Sequence, residues 1–158
     1  MILAVVGLAM QPVLTPAAVS DSFLAICRDE LSRPAALREA IRRSPLGFTR
    51  AADRGAFEVY RAGETEILFR AGEGCGFEAA VADEGEGVAV IDRVAAAMAV
   101  GAGSGGVNRN ASATHYRWPR PQRAGATGLS AVLHHPGRLG GRGGDVRVSL
   151  WAYLASGR

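Results

Sequence analysis

Residues 57–81 read FEVYRAGETEILFRAGEGCGFEAAV, and they predict three short strands of an antiparallel sheet. Apolar and polar side chains alternate along each strand, which is typical of a β-strand with one buried face. Turns that contain glycine, at 62–64 and 72–74, separate the three segments. Because consecutive strands joined by such short turns run antiparallel, this stretch decides the class of sheet.

Two helices are predicted before this meander. Asp21 or Ser22 can cap the first helix, which runs to Ser32 and carries Cys27 on its apolar side. Pro34 suits the first turn of the second helix, where the missing backbone N–H has no helical partner to lose. Both helices repeat apolar residues at three- and four-residue spacing, so each has one face to bury.

The second half of the chain adds one helix and three strands. Residues 83–87 are expected to form an acidic turn, and 88–100 a helix that is apolar nearly all round. Strands are expected at 114–118, 129–134 and 146–154. The resulting order, ααβββαβββ, predicts an α+β fold: an antiparallel sheet of about five or six strands with helices packed on one face.

The first 20 residues, MILAVVGLAMQPVLTPAAVS, have the pattern of a signal peptide. An apolar run at 2–10 precedes small residues at 18–20, which places the cleavage site before Asp21. The run is shorter than the roughly 20 apolar residues of a permanent membrane span. No basic residue precedes it, unlike a standard signal peptide, so a buried N-terminal element of a cytoplasmic protein is the alternative.

One domain is expected after this segment, over residues 21–158, since that length suits a single hydrophobic core. It includes a Gly-, Arg- and Pro-rich segment, at about 101–128, that is expected to be flexible. Cys27 and Cys75 are the only cysteines, and two cysteines in an exported domain usually pair. The sequence therefore predicts a periplasmic or secreted protein with one disulfide, which contributes about 4 kcal/mol to stability.

Positive charge is concentrated towards the C-terminal end. Residues 101–158 contain eight Arg and one Asp, whereas 21–100 contain ten Arg and fourteen acidic residues. All 18 basic residues are Arg, which indicates a GC-rich genome and weakens any inference from a single arginine. Arginines interleaved with aromatic residues can nevertheless hold a polyanion by charge and by stacking, and a solvated basic loop is the alternative. The candidate contact residues of this kind are Arg117, Trp118, Arg120 and Arg123.

The last strand supplies a second candidate surface. Trp151 and Tyr153 lie on the face opposite its aliphatic residues, with Arg147 beside them. If that face is bare, the two rings form a contact surface for a partner. If another part of the chain covers it, they belong to a second core.

No motif of the sequence predicts a catalytic residue, a metal site or a cofactor. Residues 101–106 match GxGxxG by letter, but a dinucleotide site needs that motif between a strand and a following helix, so a linker is favoured. His134 and His135 are adjacent and so point to opposite faces of a strand, which does not suit one shared metal. His115 is isolated, and the carboxylates cluster at strand edges and turns.

Several features occur together in one order: Phe23 and Cys27 in a Phe-x-x-x-Cys helix, a Gly47-Phe48 pair, a meander with a second cysteine, and an apolar helix. In this respect the chain resembles small exported proteins of GC-rich proteobacteria that have no assigned function. The resemblance covers about residues 21–100. It implies export and the disulfide, and it supplies no activity.

These features favour a non-enzymatic, exported interaction module of the cell envelope. Its expected partner is an anionic envelope component or another protein, bound through the basic C-terminal third or the face of Trp151. Nucleic acid is disfavoured outside the cytoplasm, and the sequence predicts no permanent membrane span and no particular oligomeric state. The alternatives are a structural envelope protein and a small periplasmic hydrolase or inhibitor-like domain, which a cleft joining a histidine to a carboxylate would support.

Overall fold

The computed structural model describes residues 13–100, 106–136 and 146–156, which form three α-helices and eight strands. The helices are α1 (Pro16–Phe23), which continues as a π-helical turn (Leu24–Arg28), α2 (Pro34–Arg43) and α3 (Glu84–Met98). The strands are β1 (Thr49–Arg50), β2 (Glu58–Ala62), β3 (Thr65–Arg70), β4 (Gly74–Val81), β5 (Gly106–Arg109), β6 (Ala113–Arg117), β7 (Thr127–His134) and β8 (Val146–Leu154). The predicted α+β class is confirmed.

All eight strands belong to one open antiparallel sheet, in the order β1-β2-β3-β4-β8-β7-β6-β5. Strands β2, β3 and β4 form the predicted meander, with Ile67 opposite Phe77. Strand β8 lies between β4 and β7, and its Leu150 pairs with Phe77 on one side and Ala131 on the other. The last of the described strands in sequence therefore lies in the middle of the sheet.

The three helices cover one face of the sheet. Buried side chains of the helices and of β3, β4, β7 and β8 form a single apolar core. The strand residues in this core share one face by their register, as Phe77, Leu150 and Ala131 do. The opposite face, called the open face below, carries Gly76 and Trp151.

The predicted disulfide is confirmed. Cys27 of the π-helical turn is bonded to Cys75 of β4, and their Cα atoms are 5.2 Å apart. Both cysteines are fully buried in the core. The bond therefore joins the first helical segment to the third strand of the meander.

The sheet is larger than the predicted five or six strands and the order of elements differs, because two exposed strands carry no apolar alternation. Strand β1 has only two residues, and all four residues of β5 are exposed. The acidic turn predicted at 83–87 is instead the start of α3: the Asp83 side chain accepts a hydrogen bond from the Glu86 backbone N–H at 2.8 Å. Acidic side chains are stabilised there by the helix dipole. Of the segment expected to be flexible, residues 106–128 contain β5 and β6, and residues 101–105 lie outside the described part of the chain.

Helix α1 extends across the predicted cleavage position. Thr15 caps the helix with its hydroxyl group, and Val19 and Ser20 are fully buried. Cleavage before Asp21 would therefore remove buried residues, while the apolar run at 2–10 lies outside the described residues. No helix within the described ranges combines the length and the apolar character needed to cross a membrane.

Candidate binding groove

Two aromatic rings of β8 lie on the open face against glycines of the neighbouring strands. A Cβ atom on Gly74 or Gly76 of β4 would lie 2.5 or 2.8 Å from the Trp151 ring. A Cβ atom on Gly128 of β7 would lie 2.2 Å from Tyr153 Cζ. Since carbon atoms do not approach so closely, each ring occupies space that only glycine leaves free.

A groove of about 1010 Å³ lies between these rings and the chain segment that follows β6. Strand β8 supplies one side of it, and the end of β6 with the next loop supplies the other. The aromatic and charged or amide side chains that line it are Arg117, Trp118, Arg120, Gln122, Trp151 and Tyr153. Basic, aromatic and hydrogen-bonding groups therefore surround one space.

The structure unites the two candidate surfaces that the sequence indicates separately. Arg117, Trp118 and Arg120 line the groove from the side of β6, and Trp151 and Tyr153 line it from β8. These are five of the seven residues expected to contact a partner. The alternation along β8 places its two rings on the open face, but no local pattern shows that the loop after β6 lies beside them.

Arg147 and Arg123 do not line the groove. Arg147 is on the open face but near the other end of β8, where it donates to Glu78 Oε1 at 2.8 Å and to the Glu64 carbonyl at 2.7 Å. These contacts tie β8 to β4 and to the turn before β3. Arg123 is exposed in the turn before β7, where its carbonyl accepts from the Ala126 N–H at 3.1 Å.

Aromatic contacts fix both tryptophans, but only Trp151 lies on the open face, because Trp118 belongs to the core and Tyr116 pairs with Ala131 of the helix-covered face. Trp118 is only 8% exposed and stacks on Tyr116, with ring centroids 6.5 Å apart and planes inclined by 19°. Phe57 meets Trp151 edge-on at a centroid distance of 5.9 Å. Partial burial raises the pKa of Tyr116, so its hydroxyl stays protonated at neutral pH. Aromatic pairs of this kind stabilise beyond the area they bury, and here they fix both tryptophans.

The groove carries positive charge that has no counterion among the described residues. Arg117 and Arg120 are exposed, and neither forms an ion pair with a carboxylate of the described residues. By contrast, Glu66 of β3 pairs with both Arg54 and Arg61 at 2.8 Å. The two groove arginines can therefore pair with an anionic ligand.

A second polar cluster joins α3 to β6 and the end of β7. His135 Nδ1 lies 2.7 Å from Glu84 Oε1, and its Nε2 lies 2.9 Å from Thr114 Oγ1. The order of hydroxyl, imidazole and carboxylate is that of a nucleophile activated by a base. Thr114 is only 5% exposed, however, which leaves little room for a substrate. The sequence does not reveal this cluster, because 51 residues separate Glu84 from His135 and no local pattern joins them.

His134 points away from His135 and belongs to the open face. Its Nε2 lies 3.0 Å from Ser149 Oγ, and that hydroxyl donates to Glu78 Oε2 at 3.2 Å. Because a hydroxyl has one proton to give, His134 Nε2 must be the donor in the first contact. Burial lowers the pKa of His134, so the ring is neutral at physiological pH and serves as a hydrogen-bond donor.

Metal-ligating side chains do not gather in groups of three or more anywhere in residues 13–100, 106–136 and 146–156. No protein-family model matches the chain, and no curated protein or solved structure shows significant similarity to it.

Proposed function

We propose that this protein is an exported, non-enzymatic interaction module that binds an anionic component of the cell envelope, or another protein, in the groove. One observation carries the proposal: Arg117 and Arg120 line the same groove as the aromatic rings of Trp151 and Tyr153. Guanidinium groups pair with carboxylate or phosphate, and aromatic faces stack on flat ligand groups. Together they bind polyanions more firmly than an exposed basic loop does.

Export to the periplasm or the medium is the second part of the proposal. Disulfides persist in oxidising compartments and are rare in the cytosol, so the Cys27–Cys75 bond supports it. The resemblance of residues 21–100 to small exported proteins points the same way. Because α1 contains buried residues on both sides of Asp21, processing that keeps α1 fits the structure better than cleavage before Asp21.

The double variant Arg117→Glu with Arg120→Glu tests the binding function. We expect the affinity of the protein for an anionic polymer or for anionic vesicles to fall by about tenfold or more at low salt. Added salt should weaken binding by the unchanged protein more than by the variant, since screening acts on the charges that the variant reverses. Titration at two ionic strengths measures both effects.

Arg33→Glu with Arg42→Glu is the matched control, because it makes the same change in net charge on and beside α2. These side chains are 65% and 73% exposed and do not line the groove. A control that weakens binding as much as the groove variant would show that net charge decides the affinity. Unchanged binding by the groove variant would remove the electrostatic form of the proposal.

A small hydrolase is the second candidate, favoured by the contacts of His135 with Glu84 and Thr114. In that case the Thr114 oxygen would attack an electrophilic substrate while His135 accepts its proton. Incubation with a fluorophosphonate probe tests the idea: attack on phosphorus would release fluoride and leave an adduct on Thr114, which peptide mass spectrometry detects. An adduct that Thr114→Val abolishes would favour the enzyme, and an unmodified Thr114 would favour a structural hydrogen-bond chain.

A further inference from the structure

We infer that the ligand of the groove is an acidic polysaccharide, a glycan chain that carries carboxylate groups. This inference rests on the proposed binding function and names its ligand class. It follows from three properties of the groove: flat aromatic rings, guanidinium groups that form no ion pair within residues 13–100, 106–136 and 146–156, and a size that suits a chain segment.

The aromatic rings are placed to stack on sugar rings. Trp151 lies over Gly74 and Gly76, and Tyr153 lies over Gly128, so each ring rests on a neighbouring strand. Both residues are half-buried and line the groove, so part of each ring remains accessible to a ligand. A pyranose ring has a matching flat face of C–H bonds, whereas a lipid chain needs an enclosed apolar channel.

The polar lining fits the rest of a glycan. Arg117 and Arg120 can each form two parallel hydrogen bonds to a carboxylate, a geometry that a guanidinium group provides and an ammonium group does not. Gln122 and Ser130 add an amide and a hydroxyl, which both donate and accept hydrogen bonds. Sugar hydroxyl groups, which both donate and accept hydrogen bonds, need such partners.

The dimensions suit a chain of several sugars. Trp151 and Tyr153 are two residues apart on one strand, a separation of about 6.6 Å along β8. Their rings extend to opposite neighbours, β4 and β7, so the stacking surface is three strands wide. The groove volume of about 1010 Å³ is at the upper limit of the roughly 300–1,000 Å³ of small-molecule sites.

Tryptophan fluorescence reports on the groove through Trp151, because the other tryptophan, Trp118, is only 8% exposed and belongs to the core. The disulfide-bonded full chain is titrated with polygalacturonate and with the same polymer after methyl esterification, which removes the negative charges and keeps the backbone. Phosphatidylglycerol vesicles and single-stranded oligothymidylate are the competing polyanions. We expect polygalacturonate to bind best, and esterification to weaken binding at least about tenfold.

Tyr153→Leu tests the stacking contribution, since it removes the aromatic face and leaves an apolar side chain over Gly128. We expect affinity for polygalacturonate to fall about tenfold, within the range measured for stacking contacts elsewhere. The thermal midpoint of the variant shows whether it remains folded. The Arg117→Glu, Arg120→Glu variant is titrated in parallel, with Arg33→Glu, Arg42→Glu as its control.

The outcomes separate the inferred ligand class from the proposed anion-binding function. If vesicles or oligothymidylate bind more tightly than polygalacturonate, and the Arg117→Glu, Arg120→Glu variant loses that binding, the inferred ligand class is wrong. The proposal that the groove binds anions would still stand. Equal binding of polygalacturonate by Tyr153→Leu and by the unchanged protein would also overturn the glycan inference, because stacking would contribute nothing. If no polyanion binds, or if the Arg117→Glu, Arg120→Glu variant binds as tightly as the unchanged protein, the proposal that the groove binds anions is wrong.

Discussion

Individual glycines determine where the groove rings lie. Gly128→Ala would place a methyl group within 2.2 Å of Tyr153 Cζ, so the ring must leave its position over β7. We expect the variant to lose about 1–3 kcal/mol of unfolding free energy, the usual cost of an extra methyl group in a packed site, and to bind groove ligands more weakly. Denaturant unfolding measures the first effect and tryptophan fluorescence the second.

Gly106→Ala is the control for that substitution. Gly106 also lies in a strand of the sheet, but a Cβ atom there would meet nothing within 4 Å. The unfolding free energy of Gly106→Ala should therefore stay within about 0.5 kcal/mol of that of the unchanged protein. If Gly128→Ala and Gly106→Ala lose the same unfolding free energy, Tyr153 does not pack against Gly128.

The imidazole of His134 makes stability depend on pH. Burial lowers its pKa in the folded state, so between the folded value and about 6.5 the unfolded chain binds the proton more strongly. The free energy of unfolding should therefore fall as the pH is lowered from about 7 to about 5. Denaturant unfolding at several pH values measures this slope, and His134→Gln should reduce it. An unchanged slope in His134→Gln would assign the dependence to other groups.

At the scale of the element, α1 is a stabilising part of the domain. Val19 is fully buried and contributes about 1.5–3 kcal/mol by burial, and the Thr15 cap adds about 1 kcal/mol. A chain that starts at Asp21 should therefore be at least about 2 kcal/mol less stable than one that starts at Val13. Thermal or denaturant unfolding of the two purified chains measures the difference. Equal stability would make cleavage before Asp21 compatible with the fold.

Elements with one buried face were predictable, and exposed elements were not. Phe77, Ala79 and Val81 alternate with the half-buried Glu78 and Ala80 because β4 packs on the helices, so its period is visible in the sequence. Strand β5 is exposed throughout, with Val107 at 55%, and therefore has no such period. The start of α1 could not be predicted for another reason. The small residues that suggest a cleavage site also form a helix after Thr15.

At the scale of the whole molecule, the disulfide closes a large loop between the helices and the sheet. The two cysteines are 48 residues apart, and a bond over that distance stabilises the fold by about 4 kcal/mol in the chain-entropy model. Reduction of the protein, or the double substitution Cys27→Ala with Cys75→Ala, should lower the unfolding free energy by about that amount. Thermal unfolding with and without dithiothreitol tests this, and the double variant should not respond to the reductant. If the unchanged protein has the same thermal midpoint with and without dithiothreitol, the disulfide does not stabilise the fold.

Neither the strand order nor the groove could be predicted from the sequence, and the reason is the same for both. Hydrophobic alternation shows which face of a strand is buried, but it does not identify the neighbour. The pairing of Phe77 with Leu150 joins distant parts of the chain, and it also brings Trp151 to Gly76. The chemistry of the groove residues was visible in the sequence, whereas their convergence depends on where β8 inserts.

The position of β8 also constrains when the protein can fold. Both of its neighbours, β4 and β7, precede it in the chain, so they have no common partner until residues 146–154 have been synthesised. Until then strands β1–β4 and strands β5–β7 cannot join into one sheet, and long-range pairing of this kind forms slowly. A nascent chain of this topology therefore cannot complete the sheet until its central strand has been synthesised.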